Sequence, residues 1–235
     1  MSQQALAKGA RFVLLPEVFN GRGLLQAAET IPGPSTVSFV PLAKKYQASF
    51  VLGSIIEKAT STRSYNTSVF IDSHGAITAK YRKIHLFDAR IGDKIIKESE
   101  CFQAGKASRT ITVGEFKAGL SICYDLRFPG LYQEYASKGV EILTVPSCFT
   151  RKTGEAHWET LLRARAIENL AYVLAPNQIG IDKRGMQAHG HSMIISPWGE
   201  VLACGSADKQ EIVYGEINKD VLNKARFVLP GIIKY

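Results

Sequence analysis

Three residues of the types used in amide hydrolysis follow short apolar runs in this 235-residue chain. Glu17 follows RFVLL through Pro16, Lys83 follows ITAKY within KYRKIHLFD, and Cys123 ends FKAGLSIC. Such β-branched and aliphatic runs predict strands. Because α/β proteins place ligands at the carboxyl ends of their strands, we expect the three side chains to form one site.

A thiol, a carboxylate and an ammonium group suffice for acyl transfer without a metal or cofactor. A free thiol has a pKa of about 8.5 and needs a base to accept its proton at neutral pH. A neighbouring ammonium stabilises the thiolate, which would lower the thiol pKa, and then the oxyanion of the tetrahedral intermediate. Each residue alone has a plainer interpretation: Cys123 as a small buried hydrophobe, Glu17 as a solvated loop residue and Lys83 as part of a solvated face.

The remaining composition argues against several other classes of function. The net charge is +8, but Lys and Arg are scattered, so we expect no nucleic-acid binding and a preference for anionic substrates. His189 and His191 form an HGH motif with no further ligands in the sequence to complete a metal site. None of the four cysteines forms a CxxC pair, and no apolar run suits a membrane helix or a secretory signal. We therefore expect a cytoplasmic protein with reduced thiols and no membrane contact.

Strand and helix patterns alternate along the whole chain, which predicts one α/β domain over residues 1–235 with mixed sheets. TSVFID and ITAKY flank the turn SHGA and predict a hairpin, and PWG predicts a second one. Further strands are predicted at 49–56, 141–147, 171–178, 191–196, 200–204 and 211–217, and helices at 35–47, 129–139 and 154–169. The opening ALAKGA has the pattern of a helix end with no strand before it, so we expect the chain to be short at its N-terminus.

With the motifs LLPEVF, YRKIHLF and GLSICYDLRFP in this order, the sequence resembles the nitrilase superfamily of carbon–nitrogen hydrolases. Further similarity runs through TGEAHWETLLRARAIEN and HGHSMIISPWGEVLA, so the resemblance covers nearly the whole chain. It implies that Cys123 is the nucleophile, Glu17 the general base and Lys83 the oxyanion stabiliser. It also implies a second glutamate near the site, for which Glu98 in the pair Glu-Ser is preferred over Glu100.

The same resemblance implies a second oxyanion donor, the backbone amide of Tyr124. It implies a four-layer α-β-β-α sandwich that lacks the family's first strand, and assembly into a homodimer or a higher homo-oligomer. Helix 154–169 and the residues after Cys123 are candidates for the dimer interface. Trp158 in that helix faces either the interface or the core of its own subunit.

Within the superfamily, the sequence looks most like the Nit-type branch, on the stretches HLFD, CYDLRFP and HWETLLRARAIEN. The segment APNQIGIDKRGMQAHGHSMIISPWG is more similar to the amidase of deaminated glutathione than to ω-amidase, which acts on α-ketoglutaramate. The resemblance thus implies an amidase that hydrolyses linear amides. Its first choice is the amidase of deaminated glutathione, and ω-amidase or another amidase of the superfamily is the alternative. A nitrile substrate and a non-catalytic scaffold are more distant alternatives. Both amide substrates carry carboxylates, for which the candidate partners are Arg127, Arg151 and Arg184.

Overall fold

The computed structural model describes residues 1–21, 27–60, 62–183 and 185–230. Two sheets lie face to face, and helices cover the outer side of each, so the chain forms four layers in the order α-β-β-α. The predicted α/β sandwich is confirmed by this architecture.

The first sheet has four strands in the order β1-β2-β3-β4. The pair β1–β2 is parallel, and β2–β3 and β3–β4 are antiparallel. Its strands are β1 (Phe12–Leu14), β2 (Ser49–Lys58), β3 (Ser64–Ile71) and β4 (Ile77–Arg82). The helices on its side are α1 (Ser2–Ala7), α2 (Pro34–Val37) and α3 (Val40–Tyr46). A small hairpin follows, made of β5 (Asp88–Ile91) and β6 (Lys94–Lys97).

The second sheet has six strands in the order β12-β11-β10-β9-β8-β7, and its inner pairs β8–β9 and β9–β10 are parallel. Its strands are β7 (Thr110–Val113), β8 (Phe116–Leu120), β9 (Ile142–Thr144), β10 (Tyr172–Ala175), β11 (Met193–Ile195) and β12 (Val201–Cys204). Its helices are α4 (Pro129–Ser137), α5 (Arg151–Asn169) and α6 (Lys219–Val228).

The core divides according to the alternation of side chains along β2. Phe50 and Leu52 belong to the apolar cluster beneath α1 and α3, whereas Val51 points the other way and joins the cluster between the sheets. Such a strand is buried on both faces, which explains its nearly continuous apolar sequence. The space between the sheets is therefore a packed apolar layer, and the ends of the strands open onto its rim.

Three predicted elements differ from the structure. The predicted helix 35–47 is two helices, because Pro41 in the first turn of α3 has no amide hydrogen to continue a helix from α2. The strand predicted to end at Cys123 stops at Leu120, and Cys123 begins a 3-10 turn. The predicted strand 211–217 is wrong, because this segment has no ladder of backbone hydrogen bonds. The Val213 side chain lies against Gly205, and Gly215 lies against the Ile194 side chain of β11.

Trp158 packs within its own subunit. Its ring is fully buried, lies 4.8 Å from that of Phe149 between centroids, and its indole N–H donates to the His191 carbonyl oxygen at 2.8 Å. Internal packing, one of the two sequence alternatives, thus accounts for this side chain. Among the described residues, no helix has the length and apolar character needed to span a membrane.

Candidate active site

The three candidate catalytic residues reach one place from both sheets. Glu17 lies beyond the end of β1 and Lys83 directly after β4, both in the first sheet, whereas Cys123 begins the 3-10 turn after β8 in the second. All three are buried, with exposed fractions of 4% for Glu17, 1% for Lys83 and 8% for Cys123. The site therefore lies at the seam between the two sheets.

Lys83 joins two carboxylates. Its Nζ donates to Glu17 Oε1 at 2.9 Å and lies 3.0 and 2.9 Å from the two carboxylate oxygens of Glu98. The backbone N–H of Phe87 donates to Glu98 Oε2 at 2.7 Å and holds that carboxylate in place. Glu100, the competing glutamate of the sequence, instead pairs with Lys97 on the surface at 3.1 Å.

The charge of Lys83 is stable in this surrounding. Burial alone would lower its pKa, but Glu17, Glu98 and Cys123 act in the opposite direction, and the net effect holds the pKa of Lys83 well above its usual value. Lys83 is therefore an ammonium ion throughout the neutral range. It supplies a fixed positive charge next to a carboxylate that can accept a proton.

Cys123 is a protonated thiol at neutral pH. Burial, and then the negative charge of Glu17, raise the pKa of its thiol well above the usual value, and Lys83 opposes this only in part. Lys83 thus acts on the thiol pKa in the direction expected from the sequence, but burial and Glu17 outweigh it. A thiol in this state needs a base during attack, and Glu17 is the neighbouring carboxylate.

The backbone around Cys123 is unusual. Its φ angle is +48°, in the left-handed region that side chains other than glycine rarely adopt. The Cys123 N–H donates to the Pro146 carbonyl oxygen at 2.9 Å, and the Cys148 backbone N–H binds the Cys123 sulfur. No described residue accepts a hydrogen bond from the Tyr124 amide, the proposed second oxyanion donor.

A small open pocket of about 220 Å³ leads to the thiol. Arg127 is half-buried in its wall, with its guanidinium carbon 5.4 Å from the Phe149 ring centroid and 5.8 Å from that of Tyr124. A planar cation beside a thiol suits the carboxylate of a small substrate. The lining residues are Phe87, Cys123, Tyr124, Arg127, Cys148, Phe149, Thr150 and Thr153.

Arg151, the second arginine candidate, is not brought to this pocket. Arg151 is exposed, where its side chain donates to Glu155 at 2.8 Å and to Gln187 at 3.3 Å. Arg184 lies outside the described residues. Of the two candidates among the described residues, Arg127 is the one that the structure places in the pocket wall.

His189 and His191 stack with ring centroids 4.4 Å apart. His189 packs against Gly154, where a Cβ atom would approach its ring to 2.1 Å. Over the described ranges, no group of three or more His, Cys, Asp and Glu residues has the arrangement of a metal site. His191 Nδ1 lies 2.9 Å from the His189 carbonyl oxygen, so the pair is held by mutual contacts and by packing against helix α5.

Three residues around the site were not predicted from the sequence. The Asn66 side-chain amide donates to Glu17 Oε1 at 2.9 Å, although it lies inside β3 and 49 positions away. Cys148 lies beside Cys123 because Ser121 and Cys123 continue the parallel pairing towards Thr144 and Pro146. Asp125 is fully buried two residues after the thiol. Of the three, Asp125 alone has a signal in the sequence, which is its position inside the motif CYDLRF.

Comparison with known proteins gives a consistent picture. Residues 1–227 match the family model described as carbon-nitrogen hydrolase. Omega-amidase NIT2 of Homo sapiens is 39% identical over 233 residues, which cover 97% of this chain and 84% of that relative. The crystal structure of Saccharomyces cerevisiae Nit3, described as a member of branch 10 of the nitrilase superfamily, has a TM-score of 0.85 at 32% identity, over 97% of this chain and 85% of that one. The NitFhit protein of C. elegans has a TM-score of 0.92 at 37% identity, over all of this chain but only 59% of that longer chain.

Proposed function

This chain belongs to the carbon–nitrogen hydrolase family, as a Nit-type member of the nitrilase superfamily, and we propose that it is an ω-amidase. As a member it is a hydrolase of carbon–nitrogen bonds other than peptide bonds. The proposed reaction is the hydrolysis of the terminal amide of a small carboxylate-bearing molecule, such as α-ketoglutaramate. The observation that carries it is the Glu17–Lys83–Glu98 chain of charges, with Glu17 and Lys83 buried and Glu98 partly buried, that acts on the Cys123 thiol.

The geometry supports a two-stage reaction. Glu17 takes the thiol proton as sulfur attacks the amide carbon, and Lys83 together with the Tyr124 amide stabilises the resulting oxyanion. Collapse of the intermediate breaks the carbon–nitrogen bond, and Glu17 returns the proton to the leaving nitrogen, which departs as ammonia. Glu17 then deprotonates a water molecule that attacks the thioester, and the thiol leaves with that proton as the carboxylic acid product forms.

Glu98 supports Lys83 in this scheme. Its carboxylate binds the ammonium together with Glu17, so Lys83 keeps both its charge and its direction during proton transfer. The reaction requires no cofactor, since thiol, carboxylate and ammonium supply all the necessary groups.

Two observations bear on the substrate. The relatives that are named ω-amidases favour the alternative of the sequence analysis over its first choice, deaminated glutathione. Arg127 in the pocket wall, together with the net charge of +8, supports a carboxylate on the substrate. We assign Arg127 the role of binding that carboxylate.

The test is ammonia release from a panel of amides. The panel contains an α-ketoglutaramate-type ω-amide, the same amide with its carboxylate replaced by a neutral group, deaminated glutathione and a nitrile. We expect the highest kcat/KM with the ω-amide and none with Cys123→Ala. A higher kcat/KM for deaminated glutathione would replace the ω-amidase assignment, and no turnover of any amide would favour a non-catalytic scaffold.

Arg127→Leu tests the anion site separately. Removing the partner of a buried carboxylate should raise KM for the ω-amide by about tenfold or more, while the neutral analogue should keep its KM. Arg163→Leu, at an exposed ion pair with Glu159 on α5, is the matched control and should change neither. An equal loss for both substrates in Arg127→Leu would show that Arg127 does not bind the carboxylate.

A further inference from the structure

The fully buried Asp125 carboxylate joins two segments of the site. Its Oδ2 accepts hydrogen bonds from the Tyr81 hydroxyl at 2.7 Å and from the Ile122 backbone N–H at 2.9 Å. Its Oδ1 accepts from the His85 backbone N–H at 3.0 Å and lies 2.8 Å from His85 Nδ1. One side chain thus contacts residues on both sides of Lys83 and the residue before Cys123.

These contacts bridge the two sheets. Tyr81 belongs to β4 and His85 follows it, so both move with the backbone that carries Lys83. Ile122 precedes the thiol, and the Asp125 N–H donates to its carbonyl oxygen at 3.1 Å to close the 3-10 turn. The His85 ring is held in turn by stacking on Phe128 at 3.7 Å between centroids.

The nucleophile depends on such a constraint because its backbone is strained. Cys123 has a φ angle of +48°, which persists only where the surroundings impose it. The Ile122 carbonyl oxygen, in the peptide group before Cys123, accepts from the Asp125 N–H, and the Ile122 N–H, one peptide group earlier, donates to the Asp125 carboxylate. If that contact were lost, φ could relax, and the sulfur would turn away from Glu17 and Lys83.

We propose that Asp125 is a positioning residue, which fixes the Cys123 sulfur against the Glu17–Lys83 pair by tying the turn of one sheet to the strand end of the other. The proposal rests on the proposed function for its meaning in catalysis, but the placement of the sulfur can be measured without a substrate. Both carboxylate oxygens are needed, because each one accepts from two groups. An asparagine would replace one of these oxygens by an amide NH₂ group, which is a donor and would face other hydrogen-bond donors.

The experiment compares Asp125→Asn with the wild type well below the unfolding temperature. The first readout is the rate at which iodoacetamide alkylates Cys123, followed by peptide mass spectrometry, with Cys101 and Cys204 as internal references. The second readout is kcat and KM for the ω-amide. We expect kcat to fall by about 10²-fold with KM nearly unchanged, because a misplacement of about 1 Å costs that much. The Cys123 alkylation rate should fall by more than about twofold, because the displaced thiol loses Glu17 as its base.

Two further variants distinguish positioning from stability. Leu222→Ala removes a buried side chain of α6 and should lower the melting temperature, with normal kcat and normal Cys123 alkylation. Tyr81→Phe removes one of the hydrogen bonds to Asp125 and should reduce the alkylation rate in the same direction but less. If Asp125→Asn does not fold, Tyr81→Phe becomes the test of the proposal.

The outcomes separate the two proposals. Alkylation of Cys123 within about twofold of the wild type in folded Asp125→Asn, or in Tyr81→Phe where it serves as the test, would overturn the positioning role. The same alkylation loss in Leu222→Ala would overturn it too, since any loss of stability would then suffice. A wild type that hydrolyses no amide but shows the Asp125-dependent alkylation would refute the proposed function and support the positioning role.

Discussion

At the scale of residues, the site is a largely buried row of charges that ends at a neutral thiol. Glu17, Lys83 and Glu98 carry a net charge of −1, and the Lys83 ammonium, bound to both carboxylates, offsets part of the cost of burying them. Because the Cys123 pKa is raised, first by burial and then by Glu17, this row does not hold a preformed thiolate. It holds a base next to an acid, and the thiolate forms as the substrate is attacked.

The first prediction concerns the four cysteines. Cys123→Ala should abolish ammonia release, because no other thiol can take its position against Glu17. Cys101→Ala and Cys204→Ala should keep wild-type rates, since neither lines the pocket. Cys148→Ala should keep most activity, because Cys148 contacts the Cys123 sulfur through its backbone N–H, which the substitution retains. Turnover by Cys123→Ala, measured as ammonia release, would refute the thioester mechanism.

The second prediction separates the two charges. Glu17→Gln keeps the shape but removes proton transfer, which is typically worth about 10²–10⁴ in rate. Lys83→Ala removes an oxyanion donor and should cost about 10²–10³ in kcat. Lys83→Arg should not rescue activity, because a planar guanidinium has different geometry and Lys83 is only 1% exposed, which leaves little room for it.

Intact-mass spectrometry after mixing with substrate adds a qualitative readout. Glu17→Gln should accumulate an acyl-enzyme if the substitution slows the attack of water on the thioester more than it slows acylation. Lys138→Arg, at an exposed pair with Glu134, is the control and should behave as the wild type. Near-normal turnover in Glu17→Gln would reduce Glu17 to a structural partner of Asn66 and Lys83.

At the scale of elements, the position of Glu17 depends on how closely β2 passes the chain after β1. A Cβ atom on Gly53 would lie 1.7 Å from the Leu15 carbonyl oxygen and 2.5 Å from that of Pro16. The next residue, Ser54, accepts through its side chain a hydrogen bond from the Val18 N–H at 2.9 Å. Glu17 is therefore placed by a backbone-to-backbone contact that only glycine permits.

The third prediction follows from this contact. Gly53→Ala should push residues 15–16 outward, lower stability by about 1–3 kcal/mol through overpacking, and reduce kcat by about 10²-fold through the shift of Glu17. Gly130→Ala, where a Cβ atom meets nothing within 4 Å, is the matched control. Urea unfolding and ammonia release measure the two effects. A Gly53→Ala protein with wild-type kcat would show that Glu17 tolerates the shift.

Sequence patterns predicted the secondary-structure elements whose formation depends on residues close together in the chain. The hairpin of β3 and β4 was predictable because the turn SHGA places Gly75 at a φ angle of +80°, which suits glycine. Short exposed strands such as β5 and β6 carry no such pattern. Segment 211–217 has a strand-like sequence, but backbone pairing needs a partner edge that no sequence pattern specifies.

The same limit applies to the site. Strand ends and motif resemblance predicted Glu17, Lys83 and Glu98, and the structure brings them together. The contacts of Asn66 with Glu17 and of Tyr81 with Asp125 span 49 and 44 positions, and the fold alone creates them. The direction of the Cys123 pKa shift depends on burial, which a count of neighbouring charges in sequence does not include.

At the scale of the whole molecule, the site requires both sheets to be in contact. Glu17 and Lys83 belong to one sheet and Cys123 to the other, and the Gln178 side chain donates to the Glu17 carbonyl oxygen at 2.9 Å across the seam. Closing this seam buries ionisable groups whose pKa values then depart from those of the unfolded chain. Stability must therefore vary with pH in a way that reports the site.

The last prediction uses that link at alkaline pH. The Cys123 pKa is raised in the folded state, first by burial and then by Glu17, whereas the unfolded thiol titrates near a pKa of about 8.5. Above that pH the unfolded state loses its proton while the folded state keeps it, so the free energy of unfolding falls by up to about 1.4 kcal/mol per pH unit. Lys83 also has a raised pKa, the net result of burial, which lowers it, and of Glu17 and Glu98, which raise it. Its contribution to stability is present below about pH 10.4 and is lost only at higher pH.

Urea unfolding at pH 7.5, 8.5 and 9.5, values chosen to stay below the tyrosine pKa of about 10, isolates the thiol. The wild type should lose more stability over this range than Cys123→Ala, and Cys101→Ala should follow the wild type. Groups common to all three proteins cancel in the difference, so the excess loss belongs to Cys123 alone. Parallel pH curves for wild type and Cys123→Ala would mean that the folded thiol titrates as it does in the unfolded chain, and a preformed thiolate would then have to be considered for the attack.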